Sequence, residues 1–144
     1  MSAFRSRAAG FSLIEILVVV VIIGILAAVV VPRVMDEPDR ARVTKAAQDV
    51  QALVTGLNMY KLDNYQYPST EQGLEALVSR PSGQPEAANW KSGGYIDRLP
   101  LDPWGRPYQY LNPGLKGEID VWSFGANGMP GGEGINGEIG NWND

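Results

Sequence analysis

Two residue types are missing from this 144-residue chain, cysteine and histidine. Without cysteine there is no disulfide and no thiol chemistry, and the usual clue to redox compartment is silent. Without histidine the commonest general base and metal ligand is gone, and neither a Ser-His-Asp nor a Cys-His arrangement can be built. Clustered Lys and Arg are missing too. The net charge is −4, and phosphate affinity needs a basic patch, so the composition argues against nucleic-acid binding. The length leaves room for one modest domain.

The charge that is present is segregated. Residues 1–10 hold Arg5 and Arg7 and no acid, whereas residues 33–144 hold ten Lys/Arg and fifteen Asp/Glu. Between them Glu15 is the single charged side chain. A basic tip, an apolar segment and an acidic head read as a single-pass membrane protein, with the short basic end cytoplasmic and the head translocated. Phe11–Val31 is 21 residues, about 32 Å as a helix, against a hydrocarbon core of about 30 Å. That exceeds the roughly 7–15 residues of a secretory signal's apolar region, although Ala27-Ala28 resembles a weak cleavage site. Length alone fits a plain anchor. Glu15 counts against both readings, because a carboxylate in a membrane helix costs about 2.5–3.5 kcal/mol and tends to be paired and functional. A cut between Gly10 and Phe11 would create a new amine four residues from Glu15. The amine of a neighbouring copy could then neutralise Glu15 inside the bilayer.

The stretch RAAGFSLIEILVVVVIIGILAAVVVP resembles the class III leader and N-terminal helix of type IV pilins and type II secretion pseudopilins. The resemblance implies that a prepilin peptidase cuts after Gly10 and methylates Phe11, and that Glu15 serves subunit-to-subunit assembly. Gly24 and Pro32 should interrupt the helix, Pro32 because it lacks a backbone donor. The residues alone allow a simple kink near the membrane surface. The resemblance favours a segment that loosens when subunits pack into a filament.

Beyond it, Asp36 reads as an N-cap with Pro38 near the first turn of an amphipathic helix over 36–64. Val43, Ala47, Val50, Leu53, Val54, Leu57 and Tyr60 form its apolar stripe. Arg40, Lys45, Asp49 and Lys61 lie on the opposite face; such charges are usually only solvated, and in a filament they could select the neighbour's register. Pro68 closes this element. Ser69 with Gln72 three residues on is a capping-box signature, and a short helix over 70–79 should follow. Residues 80–98 read as a Gly/Pro/Ser-rich loop, with Trp90 pinning it to the core. Asp102–Gly105 reads as a turn, Tyr108–Leu111 as a strand, Asn112–Gly114 as a second turn, and Glu118–Phe124 as the partner strand. The Gly-rich tail should regain regular structure only at Ile139–Trp142. The expected fold is α+β, a long N-terminal helix packed on a small antiparallel sheet.

The blocks MYKLDNYQYPSTEQGLEALV, GGYIDRLPLDPWGRPYQYLNPG and the closing IGNW sharpen the likeness, which is to the major-pseudopilin family of the type II secretion system. Type IV pilins, the near alternative, usually close a terminal loop with cysteines, and a minor pseudopilin often lacks the glutamate or carries a larger head. The resemblance implies a type IV pilin-like architecture: a cleaved leader over 1–10, a transmembrane and filament-core helix over 11–32, and a periplasmic head over 33–144 whose sheet and Gly-rich loop fill 99–144. It implies a non-enzymatic subunit that waits in the bacterial inner membrane and polymerises into a helical periplasmic pseudopilus. That filament would drive export of folded proteins across the outer membrane. The implied partners are further copies, minor pseudopilins, an inner-membrane assembly platform and the prepilin peptidase.

The family also binds calcium in the Gly-rich loop, through several aspartates. Here Asn127 stands where the family has aspartate, and Gly134, Asn136 and Gly137 stand where acids are expected. Calcium takes six to eight hard oxygen ligands, several of them carboxylates. Asn127 and Glu138 are the first candidate ligands, then Glu133 and the Phe124 carbonyl, and two carboxylates at most predict weak affinity. The competing reading is a metal-free loop held by its own backbone hydrogen bonds and by Trp142. Two rivals from other classes are a tethered ligand-binding module and a tethered hydrolase using a carboxylate pair such as Asp102 and Glu118. Acids on turns and strand ends are more often solvated or turn-forming.

Overall fold

Gly24 is the only Gly or Pro between Leu13 and Ala28, and Ala is the commonest residue of Ala41–Leu57. Both stretches belong to one element, α1, which spans Leu13–Asn64 and is 52 residues long. The structure is a computed structural model that describes residues 10–143, without the side chains of residues 29–37. The leader before Gly10 and the side chains of Val31, Pro32 and Asp36 therefore lie outside the described residues. The chain divides into two compact units, Met1–Pro38 and Asp39–Asp144.

Two expectations about α1 are corrected. No separate helix begins at Asp36, and neither Gly24 nor Pro32 interrupts the element. An internal proline removes one backbone hydrogen bond from a ladder of dozens, so it bends a long helix more readily than it ends one. In the first unit every described side chain from Phe11 to Ala28 is exposed. Among the described residues no helix is long and apolar enough to cross a membrane; the run Phe11–Val31 continues beyond Ala28 into side chains outside that set.

The core of the second unit is built on one face of α1. Ala46, Val50, Leu53, Leu57 and Tyr60 are buried there, at steps of four, three, four and three. Ala46 takes the place expected of Ala47, which is exposed, because the step back from Val50 along this stripe is four residues. Val43 and Val54 pack on the margin. Gly56 lets the next segment close in, since a Cβ there would stand 3.1 Å from Ile96 Cγ2 and 3.4 Å from Leu77 Cδ1.

The capping box after Pro68 is formed. Ser69 N–H donates to Gln72 Oε1 (2.9 Å), and Gln72 N–H donates to Ser69 Oγ (3.1 Å). The α-helix expected over 70–79 does not follow. Gly73 adopts φ 65°, ψ −170°, which breaks the helical path, and only a 3₁₀ turn, Leu74–Leu77, forms beyond it. Its buried Leu74, Ala76 and Leu77 still serve the core. The long loop is pinned as expected: Trp90 Nε1 donates to Ala76 O at 2.8 Å, and its indole meets Tyr95 edge-on.

The sheet has three antiparallel strands in the order β1 (Gln109–Leu111), β2 (Asp120–Ser123), β3 (Ile139–Gly140). Tyr110 pairs with Val121, and Ser123 with Ile139. Tyr108, Tyr110, Ile119, Val121 and Ile139 bring the sheet's apolar face onto the α1 core. β2 is shorter than the expected Glu118–Phe124, because Asp120 diverts the chain before it. Buried at 3% exposure, its carboxylate accepts the Leu115, Lys116 and Gly117 amides at 2.8–3.1 Å.

Burial pushes the Tyr60, Tyr95, Tyr108 and Tyr110 phenols up, and at Tyr108 the hydrogen bond to Asp49 (2.8 Å) adds to it. A folded pKa above the unfolded one gives stability that is complete below about pH 10, the unfolded value, and is lost as pH rises. Each phenol that stays protonated only when folded should steepen the loss by about 1.4 kcal/mol per pH unit. Urea midpoints measured from pH 9 to 11.5 should fall, and Tyr108→Phe should flatten the fall by one proton's worth. An unchanged slope in that variant would refute this account of Tyr108.

Candidate functional site

Gly10 and Phe11 precede α1, and both are exposed, Phe11 at 85%. A Cβ at Gly10 would meet nothing within 4 Å. One turn on, Ser12 and Glu15 form a reciprocal cap: Ser12 N–H donates to Glu15 Oε2 (3.0 Å), and Glu15 N–H donates to Ser12 Oγ (3.3 Å). Two N–H groups that the helix start would leave without partners are satisfied. The carboxylate also sits at the positive end of α1's dipole. Ser12 was not singled out from sequence, although Ser-x-x-Glu before an apolar run is the capping-box pattern.

Glu15 lies in an open concavity of about 340 Å³ with Phe11, Ile14, Val18 and Val19. From Phe11 to Leu26 the surface is almost wholly aliphatic and more than half of nearly every large side chain is exposed. Contiguous apolar surface of that extent marks a membrane or protein contact.

Each of the four residues expected around calcium in the Gly-rich loop makes a contact within the protein. Asn127 Oδ1 accepts Met129 N–H at 3.1 Å. Glu138 faces Lys116 Nζ at 3.6 Å and lines a groove with Val43, Ala47 and Gln51 of α1. Glu133 is exposed, its carbonyl accepting Asn136 N–H. Phe124 packs its ring edge-on against Trp122. Among the described residues no three acidic side chains cluster as a metal site would need. Trp142 packs on Trp122, with Lys116 Nζ 3.9 Å above the Trp142 ring.

The carboxylate pair imagined for a hydrolase is also otherwise engaged. Asp102 is buried, accepting Trp104 N–H (3.1 Å), Arg106 N–H (2.8 Å) and the Ser123 hydroxyl (2.8 Å). Glu118 is exposed and pairs with Lys61 at 2.6 Å. The charges on α1's outer face are likewise partly structural, since Asp49 accepts from both Lys45 (2.9 Å) and Tyr108 (2.8 Å).

A solved chain shares this arrangement, the major pseudopilin from the type 2 secretion system of enterohaemorrhagic Escherichia coli. It matches with a TM-score of 0.69 and 52% identity, over 78% of this chain and 96% of that one. Together with the N-terminal motif, this fold defines a pilin-like protein. Residues 5–31 match the family described as the prokaryotic N-terminal methylation motif, and residues 33–142 match type II secretion system (T2SS), protein G. Relatives named type II secretion system core protein G include one from Pseudomonas aeruginosa, 58% identical over 97% of this chain and 99% of its own length. Another, from Vibrio cholerae, is 58% identical over 93% of this chain and 91% of its own. The chain belongs to the type II secretion system protein G family.

Proposed function

We propose that this chain is the subunit of the type II secretion pseudopilus, a non-enzymatic building block held in the bacterial inner membrane until it polymerises. The observation that carries the reading is the exposed aliphatic surface from Phe11 onward, with one carboxylate at its start. Such a surface is unstable in water and calls for lipid or for copies of itself. A repeated head-to-tail contact that does not close generates a helix. The head would lie in the periplasm and the basic leader in the cytoplasm. Prepilin peptidase would cut after Gly10 and methylate Phe11, and the assembly platform and minor pseudopilins would act on the processed chain.

In this scheme Glu15 has two successive partners. In the lone subunit it caps its own helix through Ser12. In the filament a neighbour's N-terminal amine would neutralise it in a low-dielectric core. Intact mass and N-terminal sequencing of the protein from its native membrane test the pathway. A chain beginning at N-methylated Phe11 is expected. A chain still beginning at Met1, in cells with an active peptidase, would return the protein to the class of ordinary anchored domains.

A further inference from the structure

The loop over 124–138 departs from a calcium site in its donors, and the structure offers a different cation. Arg106, at the end of the Asp102–Gly105 turn, directs its side chain into the loop. Its Nη1 donates to Gly125 O at 3.3 Å and to Ala126 O at 3.1 Å. Converging backbone carbonyls are the ligands a calcium loop presents to its ion. Here they face a guanidinium, which carries a permanent charge and a planar set of donors.

Three further observations fit the same arrangement. Gly128 runs against the stem of Arg106 so closely that a Cβ would collide with Nε, Cζ and Cδ, and Gly128 sits at φ +66°. The loop backbone at Gly128 therefore lies directly against this side chain. The turn that carries Arg106 is fixed from behind, since Asp102 accepts the Arg106 amide (2.8 Å) and the Ser123 hydroxyl (2.8 Å), and Ser123 Oγ accepts Gly125 N–H (3.1 Å). Charge is supplied without a metal: of the loop's two acids, Glu138 has Lys116 Nζ 3.6 Å away, and Arg106 brings a second positive charge onto the loop carbonyls. A divalent ion would need the carboxylates that Asn127, Asn136 and Gly137 do not supply.

We propose that Arg106 is the resident cation of the 124–138 loop, standing in for bound calcium, so that the head folds and keeps its loop closed without metal. The inference is independent of whether the chain polymerises.

Thermal unfolding of the full chain in detergent, in 5 mM calcium chloride and in EDTA, is the first arm (about 5 mM being enough to reveal even a weak extracellular-type site). Equal midpoints are expected. A midpoint several degrees higher in calcium would overturn the proposal, because a ligand that binds the folded state must stabilise it. Hydrogen exchange is the second arm, comparing wild type with Arg106→Met, which keeps the aliphatic stem and removes the donors. The Ala126 and Gly128 amides, bonded to Ile135 O and Gly125 O, should exchange about fivefold faster in the variant, as loss of a charged hydrogen bond at an exposed site predicts. The α1 core amides should be unchanged, and calcium should not restore protection. Wild-type exchange in the loop of Arg106→Met, or its rescue by calcium, would refute the role assigned to Arg106.

Discussion

Replacing Asp102 with alanine should destabilise the head by about 3–5 kcal/mol, the loss expected when a buried, fully hydrogen-bonded carboxylate is removed and its donors are orphaned. Asp102 is 5% exposed, and its two oxygens receive three hydrogen bonds from the Trp104 and Arg106 amides and the Ser123 hydroxyl. Ser123, wholly buried, would lose its acceptor while still accepting from Gly125. One substitution thus loosens the turn, the end of β2 and the entry to the Gly-rich loop. For a head of about this size each kcal/mol moves the midpoint by about 4–8 °C, so a fall of about 15–30 °C is expected. Asp102→Asn keeps one acceptor oxygen and should lose less than half as much, and Ser123→Ala should cost about 1–2 kcal/mol. Midpoints of the full-length variants in detergent, read by tryptophan fluorescence, decide it. A loss below about 1 kcal/mol for Asp102→Ala, the level of an ordinary exposed site, would show that the carboxylate is not the hub the geometry makes it.

That hub shows where the sequence could be read and where it could not. The α1 stripe was legible because Val50, Leu53, Leu57 and Tyr60 recur at helical spacing, and period depends on neighbours in the chain. Its phase at the weak end was less so: Ala46 and Ala47 are chemically identical, and only burial in the core separates them. The Ser69–Gln72 box forms as its spacing predicts, yet no α-helix follows it, because Gly73 takes a positive φ that breaks the helical path. The strand alternation at Tyr108–Leu111 and the turn at Asp102–Gly105 were local signals too. By contrast, the bond from Ser123 to Asp102 and the reach of Arg106 to Gly125 and Ala126 join residues about twenty apart, which no spacing rule reveals; the amides that Asp102 accepts, two and four residues on, follow the local turn pattern. In the Gly-rich loop the sequence shows only what is missing. Substitution of its acids was visible, but the compensating cation lies about twenty residues upstream.

Glu15→Gln should leave the subunit membrane-inserted and folded but unable to form filaments. The substitution separates two jobs that one side chain holds. Glutamine can still accept the Ser12 amide, so the capped start of α1 should survive. What it cannot supply is the negative charge. In a filament core that charge would meet the amine of the next subunit, and removing one member of a buried ion pair costs about 3–5 kcal/mol. The other member, an uncompensated ammonium in an apolar surround, carries that cost at every repeat. Spread over successive contacts, about 10²–10⁴-fold weaker association per step leaves no filament of measurable length. Ser12→Ala makes the opposite cut. It removes the hydroxyl that accepts Glu15 N–H at 3.3 Å and keeps the carboxylate, so the helix end should weaken by about 1 kcal/mol while filaments persist. Membrane fractionation with electron microscopy of overproduced filaments reads both outcomes. Normal filaments from Glu15→Gln would mean that the carboxylate serves as a helix cap alone, and that register is set by the heads. Loss of filaments from both variants would mean that the cap itself, and not the charge, is what assembly requires.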